Sequence, residues 1–218
     1  MWRATAPYRV RIALNLKGLE YRYAAVDLAG GEQRAEPYRA VNPQGLVPAL
    51  EIDGRTLIQS GAILEWLEET HPAPPLLPPL ATDRAVVRAM AAIVGADIHP
   101  LNNLRVLQAL AGLGFPIGGP EQKAWGARWI TEGFMALEPL VARYGAGFAF
   151  GAAPTLADCF LIPQIWAASR FDVRVEGFPA LAAVAARAGE HPAFLDARPE
   201  NQPDAARHVP VTPERHRR

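Results

Sequence analysis

Three short stretches carry residues whose types and spacing suit chemistry. Thr5, in Arg3-Ala4-Thr5-Ala6-Pro7, stands where a strand should give way to the first helix. Its hydroxyl is placed to cap that helix. A thiol held at the same point would be stabilised as thiolate by the helix dipole and a hydroxyl hydrogen bond. Gln59-Ser60 marks a second strand-to-helix junction. The unsatisfied N–H groups of a helix N-terminus suit a carboxylate, with the Ser60 hydroxyl as a further donor, although plain N-capping by Ser60 accounts for the same residues. Val47-Pro48 begins a predicted strand. An X-Pro bond there is either a cis peptide at a tight turn, leaving the Val47 N–H and C=O open to an extended ligand, or a trans proline starting an edge strand.

Other reactive residue types point to structure. Cys159 lies in an apolar helical run with no basic neighbour and reads as a buried, inert thiol. Thr155-Leu156-Ala157-Asp158 spells a capping box, so Asp158 reads as a helix cap. No cluster of His, Cys and Asp has metal-ligand spacing, and no glycine-rich phosphate loop appears.

The elements that must position these groups fall into two zones. Residues 1–70 mix two periodicities. Residues 7–18 read as a helix with Val10, Ala13 and Leu14 on its packed face, Arg9 and Arg11 off it, and Gly18 as its C-terminal cap. Residues 19–28 alternate as a strand, and residues 46–60 read as two strands joined by Asp53-Gly54, a strong hairpin signal. A helix follows from Ser60. Five prolines between Pro72 and Pro79 exclude helix interior, so residues 71–82 form an extended linker. Residues 83–218 are helical in pattern, with one long stretch expected to bend at Pro100. The architecture is a small α/β domain, a Pro-rich linker and an all-helical domain.

Composition excludes several classes. Twenty-two basic and 22 acidic side chains in 218 residues give no net charge to attract nucleic acid, and the basic stretch Glu214–Arg218 reads as a solvated tail. No apolar run is long enough to span a bilayer, and the N-terminus lacks the basic and apolar regions of a secretion signal. A single cysteine fits a reducing, cytoplasmic compartment.

Taken together, residues 8–21, 42–54, 57–69, 97–107, 155–164 and 170–173 resemble the zeta class of glutathione transferases, and within it the bacterial maleylacetoacetate isomerases. The likeness runs from Trp2 to about Pro203. It implies a thioredoxin-like domain that binds glutathione, a helical domain completing the substrate pocket, and a homodimer. On that resemblance the Val47-Pro48 bond is cis, with Val47 backbone groups pairing with the cysteinyl part of glutathione, while Gln59 and Ser60 hold its γ-glutamyl carboxylate. His99 and Asn103 are placed near the same ligand. Thr5, Arg3 and Arg170 become the catalytic residues, the two arginines meeting the acidic groups of a small dianionic substrate. The implied reaction is reversible thiolate addition, which turns cis maleylacetoacetate into trans fumarylacetoacetate in tyrosine and phenylalanine catabolism, with no metal.

Two departures qualify the likeness. Where the family loop reads Ser-Ser-Cys or Ser-Ser-Ala, this chain has Ala4-Thr5-Ala6, so Thr5 must take over thiol activation or the helix dipole must suffice. Family members also carry a strand before Trp2, and its lack predicts a native start upstream of Met1. Maleylpyruvate isomerases share most of these motifs but read Asn-Asn-Arg-Arg where this chain has Asn102-Asn103-Leu104-Arg105, which favours maleylacetoacetate. General glutathione conjugation and a non-catalytic glutathione-binding scaffold are the remaining alternatives.

Overall fold

The computed structural model describes residues 3–205, so Trp2 and the Glu214–Arg218 stretch lie outside it. Helix α1 (Thr5–Leu16) opens the described chain. It ends in a Schellman motif. Gly18, at φ +65°, donates its N–H to the Asn15 carbonyl at 3.1 Å, and Leu19 donates to the Leu14 carbonyl at 2.9 Å.

Arg9 and Arg11 depart from expectation, because both are buried at 3 % exposure. The face assumed to meet solvent is covered, since α3 (Ser60–Thr70), α7 (Leu156–Ala168) and α9 (Pro192–Ala197) all pack on α1. Arg11 survives there by donating from Nε to the Ala197 carbonyl at 3.1 Å, with its guanidinium carbon 5.4 Å from the centre of the Tyr8 ring.

The strand expected at 19–28 does not form. A strand exists through the ladder it makes with a neighbour, and no described segment pairs with these residues. The one sheet among the described residues is the predicted hairpin, β1 (Ala49–Ile52) antiparallel to β2 (Arg55–Ile58). Its turn residues Asp53 and Gly54 sit at φ 48° and 73°, as a type I′ turn requires. Between α1 and the hairpin lies the short helix α2 (Glu36–Val41).

After α3 the Pro-rich segment runs without regular structure and is tied down by one buried ion pair. Lys17, just past the end of α1, donates to Glu68 Oε2 at 2.8 Å and to the carbonyls of His71 and Pro74 at 2.6 and 3.1 Å. Glu68 also accepts the N–H groups of Leu76 and Leu77 at 2.9 and 3.1 Å. All three ammonium protons are satisfied, which is the condition for such a charge to be buried. The Leu76 carbonyl in turn accepts the N–H of Leu156 at 2.8 Å, linking the segment to α7.

The helical part differs from the single bent helix read from sequence. Helix α4 (Ala81–Ala92) passes into a wider π-helical turn at Ile93–Ile98 and then a tight 3₁₀ turn at His99–Asn102, before α5 (Leu104–Gly112). Pro100 has no N–H for a regular i→i−4 bond and crowds the carbonyl one turn back, so the backbone leaves α geometry well before the proline itself. Helix α6 (Pro120–Tyr144) supports this irregular turn through its glycines. A Cβ on Gly133 would stand 2.2 Å from Ile98, and one on Gly126 would stand 2.1 Å from Phe171. Neither glycine could bear a side chain without displacing the residue next to His99 or the one next to Arg170. Helix α8 (Pro179–Ala188) covers the other side of α6.

Helix α7 lies antiparallel along α1. Trp166 packs edge-on against Tyr8 with ring centroids 6.3 Å apart, and Phe160, nearer the α7 start, takes the Arg9 guanidinium at 4.4 Å from its centroid. The predicted capping box is present at its N-terminus, where Thr155 donates its N–H and hydroxyl to Asp158 at 2.7 and 2.9 Å. Cys159 is fully buried and burial pushes its thiol well up, as its inert reading required.

Candidate functional site

Six of the residues singled out from sequence meet at one cleft between α1, the start of α3 and the irregular turn after α4; Thr5 adjoins it through His99, while Arg3 and Arg170 are not among its lining residues. Its lining includes Val47, Pro48, Gln59, Ser60, His99 and Asn103. The Val47-Pro48 peptide is cis. Asn42 holds the loop before it, donating to the Leu46 carbonyl at 2.6 Å and accepting the Gln44 N–H at 3.0 Å, while the Tyr38 hydroxyl donates to the same carbonyl at 2.9 Å.

Neither hydroxyl caps its helix in the way expected. Ser60 is the first residue of α3, and Gln59 precedes it at φ 68°, a left-handed conformation that is strained for a residue with a side chain. The Ser60 hydroxyl instead accepts a 3.3 Å hydrogen bond from Arg9 Nη1. Gln59 Nε2 donates to Gln44 Oε1 at 2.6 Å. With no side-chain cap on α3, its first N–H groups remain directed at the cleft mouth.

Likewise Ala4 occupies the N-cap position of α1 and Thr5 the first helical one, with no side-chain cap. Thr5 is buried, and its Oγ1 lies 2.9 Å from His99 Nδ1. Asn103 caps α5 by accepting the Arg105 N–H at 3.1 Å, so part of its side chain has a structural task.

Charge in this cleft has one sign. Arg9 is buried with Nε and Nη2 lacking any partner, and loss of solvent pulls its guanidinium from 12.5 down to about 9. Arg170, in the 3₁₀ turn after α7, rests 4.8 Å over the Trp166 ring. Burial of its neighbourhood and then the like charge of nearby Arg3 pull it down, although the residue itself is exposed and solvent screens the effect. His99 is held to about 3, first by burial and then by the positive charges of Arg9, Arg170 and Arg105, so its imidazole is neutral at physiological pH. Among the described residues no carboxylate pairs with Arg9, Arg105 or Arg170. A cleft lined by Arg9 and Arg105, neither with a carboxylate partner, suits an anionic ligand.

Sequence reasoning missed Arg9, Gln44 and Arg105 as part of the cleft. Arg9 was within reach, because it lies one helical turn beyond Thr5 and so shares its face. Arg105 and Gln44 carry no such local signal.

A family profile for the glutathione S-transferase N-terminal domain matches residues 7–75. The chain is 49 % identical to a maleylpyruvate isomerase from a Ralstonia species over 94 % of its own length and 97 % of the relative's. It is 48 % identical to a maleylacetoacetate isomerase from Pseudomonas aeruginosa, with 93 % and 95 % covered. A holo structure of a maleylpyruvate isomerase, described as a bacterial zeta-class glutathione S-transferase, superposes with a TM-score of 0.91 at 48 % identity, covering 94 % of this chain and 97 % of the other.

Proposed function

We infer that this chain, which belongs to the zeta class of the glutathione S-transferase family, is a glutathione-dependent cis–trans isomerase acting on maleylacetoacetate. The observation that carries this reading is the cleft itself, where Arg9 and Arg105, without carboxylate partners, line the same space as His99, whose ring holds the buried Thr5 hydroxyl at the start of α1. The residues present fit glutathione. The open N–H groups of the α3 start, the Ser60 hydroxyl and the two unpartnered nitrogens of Arg9 match its γ-glutamyl carboxylate, with Gln59 beside them. The backbone of Val47, next to the cis Pro48, suits the cysteinyl unit, and His99 and Asn103 line the same ligand's side of the cleft.

Bound there, glutathione supplies a thiolate that adds to the cis double bond and leaves once the resulting single bond has turned. This chain's residues do the remaining work. Thr5 donates its hydroxyl proton to the sulfur, and the positive N-terminus of α1 favours the thiolate form. Arg3 and Arg170 take the substrate's acidic groups and the enolate oxygen, where their fixed charges lower the cost of the negative charge that develops on addition. A homodimer, a cytoplasmic setting and a place in tyrosine and phenylalanine breakdown complete the reading; they rest on family membership and on the lone, buried Cys159.

A second reading, maleylpyruvate as substrate, is favoured by Arg105, which lines the cleft and stands ready for a shorter diacid. The test is to mix purified protein and glutathione separately with each substrate and follow the trans product. Faster turnover of maleylacetoacetate is expected, with Arg170→Ala slowing it at least tenfold, on the order of a lost charge-assisted hydrogen bond. Turnover of maleylpyruvate alone would replace the substrate assignment, and turnover of neither would leave only a glutathione-binding scaffold.

A further inference from the structure

His99 and Thr5 are 94 positions apart in sequence, yet Nδ1 and Oγ1 meet at 2.9 Å in a partly buried setting. That contact limits what the threonine can do. A hydroxyl has one proton. If Thr5 donates it to His99 Nδ1, nothing remains to donate to a bound sulfur. If Nδ1 carries the proton and donates to Oγ1, the Thr5 proton is free to point into the cleft.

The charged groups acting on His99 decide between these. Arg9 from α1, Arg170 from the turn after α7 and Arg105 from α5 all act on the ring with positive charge. Such a field excludes the imidazolium, so the ring has one N–H and one lone pair. The lower-energy neutral form leaves the Nε2 lone pair in the cationic field and keeps the N–H at Nδ1, against the one neutral oxygen that the ring touches. We propose that His99, as the Nδ1–H tautomer, is a positioning residue that donates to Thr5 Oγ1 and thereby turns the Thr5 hydroxyl proton toward the glutathione sulfur.

This inference rests on the glutathione-dependent reading above. It also accounts for the α4–α5 junction, since the π-helical and 3₁₀ turns, seated on Gly133, set the ring where a continuous helix would not. Thr5 replaces a family hydroxyl only in company with His99.

The test does not use turnover. In the free protein, long-range nitrogen–proton NMR of the His99 ring should show Nδ1 protonated and Nε2 bare from pH 6 to pH 8; the opposite tautomer would overturn the proposal. In the glutathione complex, thiolate absorbance near 240 nm against pH gives the pKa of the bound thiol. His99→Phe and Thr5→Val should each raise it by about one unit, a tenfold loss of thiolate at a fixed pH below it. The double variant should be no worse than Thr5→Val alone, because one residue acts through the other, and Thr5→Ser should retain the wild-type value. Additive shifts, or an unchanged thiol pKa in His99→Phe with only weaker glutathione binding, would reduce His99 to a packing or ligand contact. Absence of any glutathione-dependent thiolate signal in the wild type would overturn the activity reading itself, and this one with it.

Discussion

Replacing Arg9 with methionine should make the free protein more stable and its glutathione complex weaker. The guanidinium is 3 % exposed, has no carboxylate partner and leaves Nε and Nη2 without hydrogen bonds. Its fall from 12.5 to about 9 corresponds to a cost of about 5 kcal/mol for keeping the charge in place. The sign follows from linkage. Below pH 9 the folded arginine remains charged and the cost is fully present; it is relieved only as pH rises from about 9 to 12.5. Two contacts offset it. The Phe160 ring at 4.4 Å contributes up to about 2 kcal/mol, and the long bond to Ser60 about 1 kcal/mol. Methionine fills the same channel without the charge, so Arg9→Met should gain about 2 kcal/mol, or roughly 4–8 °C in midpoint for a chain of this size. Urea unfolding at pH 7 measures this directly. Added glutathione should raise the wild-type midpoint through mass action and move the variant's far less. If Arg9→Met is less stable than wild type without glutathione, or gains equally from the ligand, Arg9 is a structural strut and the reasoning fails.

Two further perturbations probe the frame around the cleft. Lys17→Met removes the donors to Glu68, His71 and Pro74 and strands a buried carboxylate; a loss of about 3–5 kcal/mol in urea unfolding is expected, partly recovered by adding Glu68→Gln. Asp158 has a folded pKa raised from 3.8 to about 6 by burial, against four donated hydrogen bonds. Its contribution is therefore present below pH 3.8 and lost as pH rises through 6, so wild-type stability relative to Asp158→Asn should fall by up to about 3 kcal/mol across that window. A rise across the same window would show that the hydrogen bonds outweigh the burial.

What the sequence disclosed was local. Asp53-Gly54 demanded left-handed backbone at two adjacent positions and produced the hairpin; Val47-Pro48 left cis and trans open until the family resemblance chose cis; Thr155 and Asp158 three residues apart wrote the capping box. The first and last of these signals are complete within a few residues. What stayed hidden depended on partners. Residues 19–28 alternate correctly for a strand, but alternation records which face is apolar and says nothing about whether a neighbour exists to pair with. Arg9 and Arg11 looked like surface charges because periodicity cannot see that α3, α7 and α9 all pack on α1. Pro100 announced a bend, yet the room for the loosened turn comes from Gly133 on α6, far away in the chain, where a side chain would strike Ile98. The Thr5–His99 contact joins two zones that no window of sequence spans together.

The pairing of α1 with α7 has a mechanical meaning. The helices are nearly equal in length, 12 and 13 residues, and run in opposite directions. At one end, Lys17, Glu68, Leu76 and Leu156 form an unbroken chain of hydrogen bonds; at the other stand Arg3, Thr5 and Arg170. The arrangement is that of tongs riveted at the handle, with Tyr8 and Trp166 in contact near the tips. Slack admitted at the rivet would be delivered about 20 Å away, as a change in the spacing of Arg3, Thr5 and Arg170. A substitution in the proline segment would thus register as altered substrate grip before it registered as unfolding.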